Sequence, residues 1–297
     1  MSKVQSPKLR RQSRRRMSGP AARDFATALR TRLQTKTIGH PFHFFPTIDS
    51  TNIYAARLAR EGATEGTIVI ADAQSGGKGR LGRSWVSPPG VNLYLSVILR
   101  PSVSAGVAPQ LNLLTAVAVA NAIADVCQLR PVIKWPNDVL VNGKKVCGIL
   151  AEMQTEAGAL RAVILGIGVN INAPLSAFPE ELHGKASSLL LVSGRTIERS
   201  TFTASLLTHL EKYYVLWIEQ GFAALRMPWE QYASEVLGKR IAVAAPEGTV
   251  TGTALGLDND GALLVQSETD GVVHRLLAGD VSVIGGYDRG ETHDPRR

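Results

Sequence analysis

Cysteine is scarce in this chain. Its 297 residues include only two, Cys127 and Cys147, both in apolar surroundings and without a Cys-x-x-Cys or paired histidines. That argues against a disulfide framework or a zinc site and makes a reducing cytoplasm the expected setting. Long apolar runs are missing too. The best stretch, 111–124, is interrupted by Asn112 and Asn121 and falls short of the roughly 18 residues that a bilayer span needs. No membrane partner is expected, and no apolar segment follows the basic N-terminal residues to make a secretory signal. Charged residues at 20% and hydrophobic residues at 44% exclude a wholly disordered chain, a coiled coil and a collagen-like fibre. The length suffices to bury a substantial core in one large domain or two to three small ones.

Acidic residues are nearly absent at one end. Residues 1–36 hold eleven Lys or Arg against one acid, Asp24, so they carry +10 while the rest of the chain carries −2. The net charge of +8 therefore belongs to the tail. A solvated extension is the plain reading; binding to nucleic acid or an anionic surface is the alternative. Residues 1–22 lack aromatics and periodicity and are expected to be disordered. The stretch 24–36 places Phe25, Leu29 and Leu33 on one face of a short helix. The region is too short for a winged helix-turn-helix domain of about 60 residues, so sequence-specific DNA binding is not expected.

From Pro41 the pattern mixes helix and strand. Strands are expected over 42–45, 66–73, 91–100, 132–135, 139–141, 146–154 and 160–170, with Asn142-Gly143 as a hairpin turn. Helices are expected after Asp49-Ser50-Thr51-Asn52 and over 108–127, 200–220 and 222–236. Strands joined by tight turns argue for an α+β fold with a mixed, largely antiparallel sheet rather than a doubly wound one. After Gly238, short strands over 240–245, 249–257, 262–266 and 272–277 alternate with turn signals, as in a small β-barrel.

Four segments carry chemistry. In Gly76-Gly77-Lys78-Gly79-Arg80-Leu81-Gly82-Arg83-Ser84-Trp85, the glycines Gly77, Gly79 and Gly82 satisfy G-x-G-x-x-G. A dinucleotide site would need a helix to follow, but Pro88-Pro89 come next, and no acid stands about 20 residues on. No Gly-Lys-Ser/Thr is present for a P-loop. What remains is three cations on a glycine frame, suited to phosphate or carboxylate oxygens; a solvated basic loop is the plain alternative. In Lys134-Trp135-Pro136-Asn137-Asp138, a lysine ends an apolar strand and points into a cleft or to a partner, and a structural Lys–Asp pair is the alternative. Gly166-Ile167-Gly168-Val169-Asn170 lets something lie against the sheet, or forms a β-bulge. Asp49-Ser50-Thr51-Asn52 reads by itself as an N-cap.

Together and in order, these segments resemble the biotin–protein ligases. That family's pattern is Ser-Thr-Asn, a Gln before Gly-Arg-Gly-Arg-x-Gly-Arg-x-Trp, then Lys-Trp-Pro-Asn-Asp and Gly-Ile-Gly-x-Asn. This chain has Ser50-Thr51-Asn52, Gln74, Gly77 to Trp85, Lys134 to Asp138 and Gly166 to Asn170. Lys78 stands where the family usually has arginine, keeping the charge without the bidentate fork.

The resemblance implies a class II aminoacyl-tRNA-synthetase-like catalytic domain over 39–236 and an SH3-like barrel over 237–286. A basic tail over 1–38 and a polar tail over 287–297 flank them. The form lacking an N-terminal DNA-binding domain is implied. So is a two-step reaction in which biotin and ATP give biotinyl-5′-AMP, and a lysine of a biotin carboxyl carrier protein domain then takes the biotin. Biotin is assigned Ser50, Thr51, Asn52, Gln74, Lys78, Gly79, Arg80 and Lys134; ATP is assigned Arg83, Trp85, Lys134 and Asn170. Arg80, Lys134 and Asp138 are the catalytic candidates, Asp138 toward the attacking amine. Mg2+ is expected with the nucleotide, with no acid cluster to mark its ligands. The loop 75–85 is expected to order over the intermediate as a lid. Lipoate–protein ligase is the near alternative and a nucleic-acid-binding regulator the distant one. Homodimerisation and the role of the barrel stay open.

Overall fold

The computed structural model describes residues 20–287; the expectations for residues 1–19 and 288–297 fall outside that range. The expected tail over 1–38 is corrected at its C-terminal half. The apolar face of α1 (Pro20–Arg32) buries Phe25, Ala26 and Leu29 in the main core. Beyond it, the backbone N–H groups of Lys36, Thr37 and Ile38 donate to the Glu211 carboxylate at 2.8, 2.7 and 2.9 Å. Burial alone would raise that carboxyl's pKa, but the three donors hold it below its ordinary value. Residues 20–38 are thus part of the folded body, because their apolar positions and backbone donors both find partners there.

A seven-stranded sheet runs in the order β1-β2-β3-β7-β6-β5-β4. β1 (Phe42–Ile48) and β2 (Ile68–Gln74) are parallel, joined through α2 (Thr51–Arg60); every other neighbouring pair is antiparallel. β3 (Leu93–Leu99) is buried at all seven positions, as a central strand covered on both faces must be. Side chains alternate across the sheet. Val69, Ile98, Ala162 and Ile164 face α2 with Ala55 and Ala59. Their neighbours Ile68, Ile70, Val97 and Leu165 face the larger core under α3 (Gln110–Ala122). The stretch Ala105–Cys127 has the length and mean hydropathy of a membrane span, but 72% of its 18-residue apolar window is buried within the fold; it is the core helix.

β4 (Pro131–Lys134), β5 (Asp138–Val141), β6 (Lys144–Glu156) and β7 (Ala159–Val169) complete the sheet as hairpins. Asn142 and Gly143 have φ of 50° and 69°, the two positive values that a tight hairpin turn between β5 and β6 demands. α4 (Leu189–Ser193) and α5 (Arg199–Gln220) follow. The helix expected over 222–236 ends early, as α6 (Ala223–Glu230). The chain then turns, and Tyr232 O accepts from Ile133 N at 2.7 Å, so the edge of β4 is covered rather than left open.

The last unit is a five-stranded antiparallel sheet in the order β11-β10-β9-β8-β12. Its strands are β8 (Arg240–Ala245), β9 (Gly248–Leu257), β10 (Leu263–Ser267), β11 (Val273–Leu276) and β12 (Asp280–Val283). β12 was not among the expected strands; it pairs with β8 and buries Val281. Tyr287, placed in the polar tail by sequence, packs on Gly143 at the β5–β6 turn and on the core. Cys127 and Cys147 are free and buried. Burial pushes the Cys127 thiol up to about 11 and the Cys147 thiol higher still.

Candidate functional site

The glycine-rich loop after β2 folds back on itself as a miniature hairpin. Lys78 and Ser84 form a bridge, Gly79 N donates to Arg83 O at 2.7 Å and Trp85 N to Gly77 O at 2.9 Å. A side chain at Gly77 would meet Trp85 O at 2.5 Å, so the fold-back needs glycine there. Only one short turn, Arg80–Gly82, is helical, and no helix follows to make a dinucleotide site. The fold-back lays Trp85 against the sheet. A Cβ at Gly148 or Gly168 would lie 2.8 or 2.6 Å from the indole, which is why β6 and β7 carry glycine at those facing positions. The object resting on the glycine-rich strand end is therefore Trp85, whose Nε1 is buried without a hydrogen-bond partner.

Trp85 stands between two cavities. The first is lined by Ser50, Thr51, Asn52, Gln74, Lys78 and Arg80, among others. Ser50 holds the N-cap position of α2 in extended geometry (φ −153°, ψ 133°), yet its side chain makes no capping bond. The ordinary N-cap alternative is therefore set aside. Thr51 N donates to Gln74 Oε1 at 2.8 Å, and Gln74 Nε2 donates to Ser87 Oγ at 3.1 Å. At about 50 Å³ this cavity is far below the roughly 300 Å³ typical of small ligand pockets. A vitamin-sized ligand requires the loop or Trp85 to shift.

The second cavity, 260 Å³, is lined by Arg80, Arg83, Trp85, Lys134, Asn137, Asp138, Lys145, Asn170 and Asp280, among others. Arg80 donates to Asn137 Oδ1 at 2.6 Å and to Gly279 O at 3.3 Å. Lys134 Nζ lies 3.0 Å from Asp280 Oδ1, and Arg83 lies 3.4 Å from the other carboxylate oxygen. Burial would raise the Asp280 pKa; the bond and charge of Lys134, with Arg83 behind, overcome it and hold the carboxyl below its ordinary value. Lys145 Nζ lies 2.7 Å from Asp138 Oδ1 and 5.5 Å from the Trp85 ring centroid. Asn170, buried, donates to Ser187 O at 3.1 Å. Gly79, Arg80, Trp85, Asn137 and Lys145 line both cavities, so a ligand in one abuts a ligand in the other.

The structure gathers every residue singled out by sequence at these two cavities, with two differences of placement. Lys134, expected toward both ligands, lines only the second cavity, where its ammonium pairs with Asp280. Asn52 lines the first, but its amide is engaged by protein: Nδ2 donates to Glu152 Oε2 at 2.7 Å. Lys145 and Asp280 were missed. The first follows a hairpin turn and reads as a solvated cation. The second sits 146 residues from Lys134 in the small sheet and has no local signal.

Among the described residues no group of three or more His, Cys, Asp or Glu is arranged to hold a metal ion. The two acids facing the second cavity, Asp138 and Asp280, are both ion-paired. The residues present do not make an oxygen cage for Mg2+.

Residues 44–170 match the Biotin/lipoate A/B protein ligase family and residues 236–283 the Biotin protein ligase C terminal domain. The chain is 39% identical to the bifunctional ligase/repressor BirA of Bacillus subtilis, over 86% of this chain and 78% of that protein. It is 35% identical to the biotin–[acetyl-CoA-carboxylase] ligase of Paracoccus denitrificans, over 73% and 91%. The structure is similar to a biotin protein ligase from Aquifex aeolicus in complex with biotin and ATP. The TM-score is 0.72 at 30% identity, covering 82% of this chain and 99% of that one. On fold, site and sequence alike, this chain belongs to the biotin protein ligase family.

Proposed function

We propose that the chain is an ATP-dependent biotin–protein ligase. In the first step a biotin carboxylate oxygen bonds to the ATP α-phosphorus, the bond to the β-phosphate bridging oxygen breaks, and pyrophosphate leaves. In the second, a lysine amine of a biotin carboxyl carrier domain attacks the acyl carbon, forming an amide, releasing AMP and losing one proton. The observation that carries this reading is the pair of abutting cavities with Arg80 and Lys145 lining both. A carboxylate in one and a phosphate in the other repel, and fixed cations between them offset that repulsion where charge develops.

In this reading the first cavity takes the ureido ring, with Ser50, Thr51 and Gln74 as its polar contacts, and Lys78 and Arg80 face the carboxylate. The second takes the nucleotide, with Arg83 and Lys134 on phosphates, Trp85 beside the sheet and Asn170 toward the base. Mg2+ accompanying the nucleotide would find its oxygens on phosphate and water. Asp138, held by Lys145, orients the incoming amine. The catalytic unit spans α1 to residue 236, and the small sheet closes the nucleotide side through Gly279 and Asp280. Free, buried cysteines support a reducing, cytoplasmic setting.

The test is the intact mass of a carrier domain after incubation with this protein, biotin and ATP. A gain of one biotin is expected, with no gain when lipoate replaces biotin. A lipoyl adduct in place of a biotinyl one would overturn the choice of acid, and no adduct with either would overturn the reaction.

A further inference from the structure

The loop over the two cavities borders a third space. A groove of about 450 Å³ is lined by Lys78, Arg80, Leu81 and Arg83 of the loop and by Leu150 and Glu152 of β6. Gly79 and Arg80 line this groove and both cavities. The groove therefore borders the place where a carboxylate in the first cavity and a phosphate in the second abut. With both cavities filled, an amine still has to reach that place, and the groove is a way in that neither ligand takes.

Among the residues lining the groove, Glu152 is the one acid. Asp138 and Asp280, which line the second cavity, are both ion-paired; Glu152 makes no salt bridge among the described residues. Its Oε2 accepts from Asn52 Nδ2 at 2.7 Å. Asn52 is buried, and a Cβ at Gly166 would lie 2.3 Å from its Oδ1, so the amide that holds the carboxylate is itself closely packed. A neutral donor thus fixes Glu152 without cancelling its charge. On the loop side, Arg80 is engaged by Asn137 and Gly279, and Arg83 by Asp280.

A lysine side chain suits such a groove. Its methylenes can lie along Leu81 and Leu150 while the charged head seeks an anion. An ammonium passing Lys78, Arg80 and Arg83 is repelled unless a carboxylate offsets them, and Glu152 is placed to do so.

We propose that the groove admits the target lysine of the carrier and that Glu152 binds its ammonium on the approach. The inference rests on the proposed ligase activity and adds the route and recognition of its second substrate. Glu152 acts before Asp138. Further in, Lys78 and Arg80 disfavour the charged form, so the proton passes to water and the neutral amine meets the acyl carbon.

The experiment discharges the full chain, preloaded with biotinyl-5′-AMP, onto a carrier domain or onto hydroxylamine, a nucleophile uncharged at neutral pH. Glu152→Gln can still accept from Asn52 but has no charge. It is expected to raise the carrier concentration for half-maximal discharge about tenfold, the size of one charge-assisted hydrogen bond. The ratio of carrier to hydroxylamine discharge at low carrier concentration should fall by the same factor. Leu81→Asp adds a second carboxylate to the groove. The position is 79% exposed, and aspartate tolerates its φ of 54° better than leucine does. This variant is expected to raise the same ratio and serves if Glu152→Gln does not fold. Equal losses for carrier and hydroxylamine in Glu152→Gln would mean that Glu152 only holds Asn52, and would overturn the inference, as would an unchanged ratio in either folded variant. A native chain that forms no biotinyl-5′-AMP overturns the proposed function instead.

Discussion

Asp280 Oδ1 lies 3.0 Å from Lys134 Nζ across 146 residues of sequence, and the same carboxylate lies 3.4 Å from Arg83. A strand of the small sheet thereby places an anion on two cations assigned to phosphate. This carboxylate neutralises them, and an incoming triphosphate would compete with it. Asp280→Asn is therefore expected to lower the KM for ATP by up to about fivefold, the range of a partly exposed ion pair. Steady-state pyrophosphate exchange measures it, and an unchanged or raised KM would count against the competition.

The same contact makes a pH prediction. The folded Asp280 carboxyl titrates below its ordinary 3.8, so its contribution to stability is present above that pH and lost as pH falls through the folded value. Urea midpoints of the native chain and Asp280→Asn should differ between about pH 5 and 8 and converge on acidification below 3.8. A gap that persisted at low pH would mean that packing, not charge, holds the two units together at this point.

Gly168 offers a test of the platform under Trp85. A methyl there would lie 2.6 Å from the indole, closer than packed atoms approach, and the ring must leave the sheet. Gly168→Ala is expected to raise the KM for ATP about tenfold or more, given about 1–3 kcal/mol for a lost stacking contact. The tryptophan emission should move to longer wavelength as Trp85 is exposed. Unaltered nucleotide binding with a displaced indole would remove Trp85 from the ATP site.

The secondary structure and the site-bearing segments were largely legible in sequence, and the reason is local. Asn142-Gly143 needs positive φ at both positions, the alternation in 249–257 has the period of a strand, and Lys134 and Arg80 sit in short motifs. What escaped depends on distance along the chain. α1 packs its apolar face on a core built from distant strands and helices, and Glu211, 175 residues from Lys36, supplies acceptors for the segment behind it. β12 (Asp280–Val283) is defined by its pairing with the distant β8 rather than by a hairpin turn beside it. Lys145 reads as one of two surface lysines until the β5–β6 pairing turns it toward Asp138.

Both cysteines are predicted to be silent in the folded protein. The Cys127 thiol is pushed up to about 11 by burial, and Cys147 is fully enclosed, so near pH 8 neither carries an appreciable thiolate population and neither is accessible. Brief treatment of the native chain with iodoacetamide should leave its intact mass unchanged, while treatment in denaturant should add two carbamidomethyl groups. An adduct on the native chain would show that the core around α3 opens on the minutes timescale.

The loop over the two cavities yields the last prediction. Leu81 at its tip is 79% exposed and has a φ of 54°, a conformation that branched and bulky residues rarely adopt. The loop is already cross-bonded from Gly77 to Trp85, yet the first cavity is too small for a vitamin-sized ligand without movement. The loop is therefore expected to open to admit biotin and to close again over the adenylate. Limited trypsin cleavage at Arg83, whose side chain is 68% exposed, should proceed in the free enzyme. It should slow about tenfold or more with biotin and ATP together, since one closing interaction of 1.4 kcal/mol suffices for that factor. Biotin or ATP alone should protect less, because Gly79 and Arg80 line both cavities. Equal cleavage under all conditions would mean that the loop is a fixed wall rather than a lid.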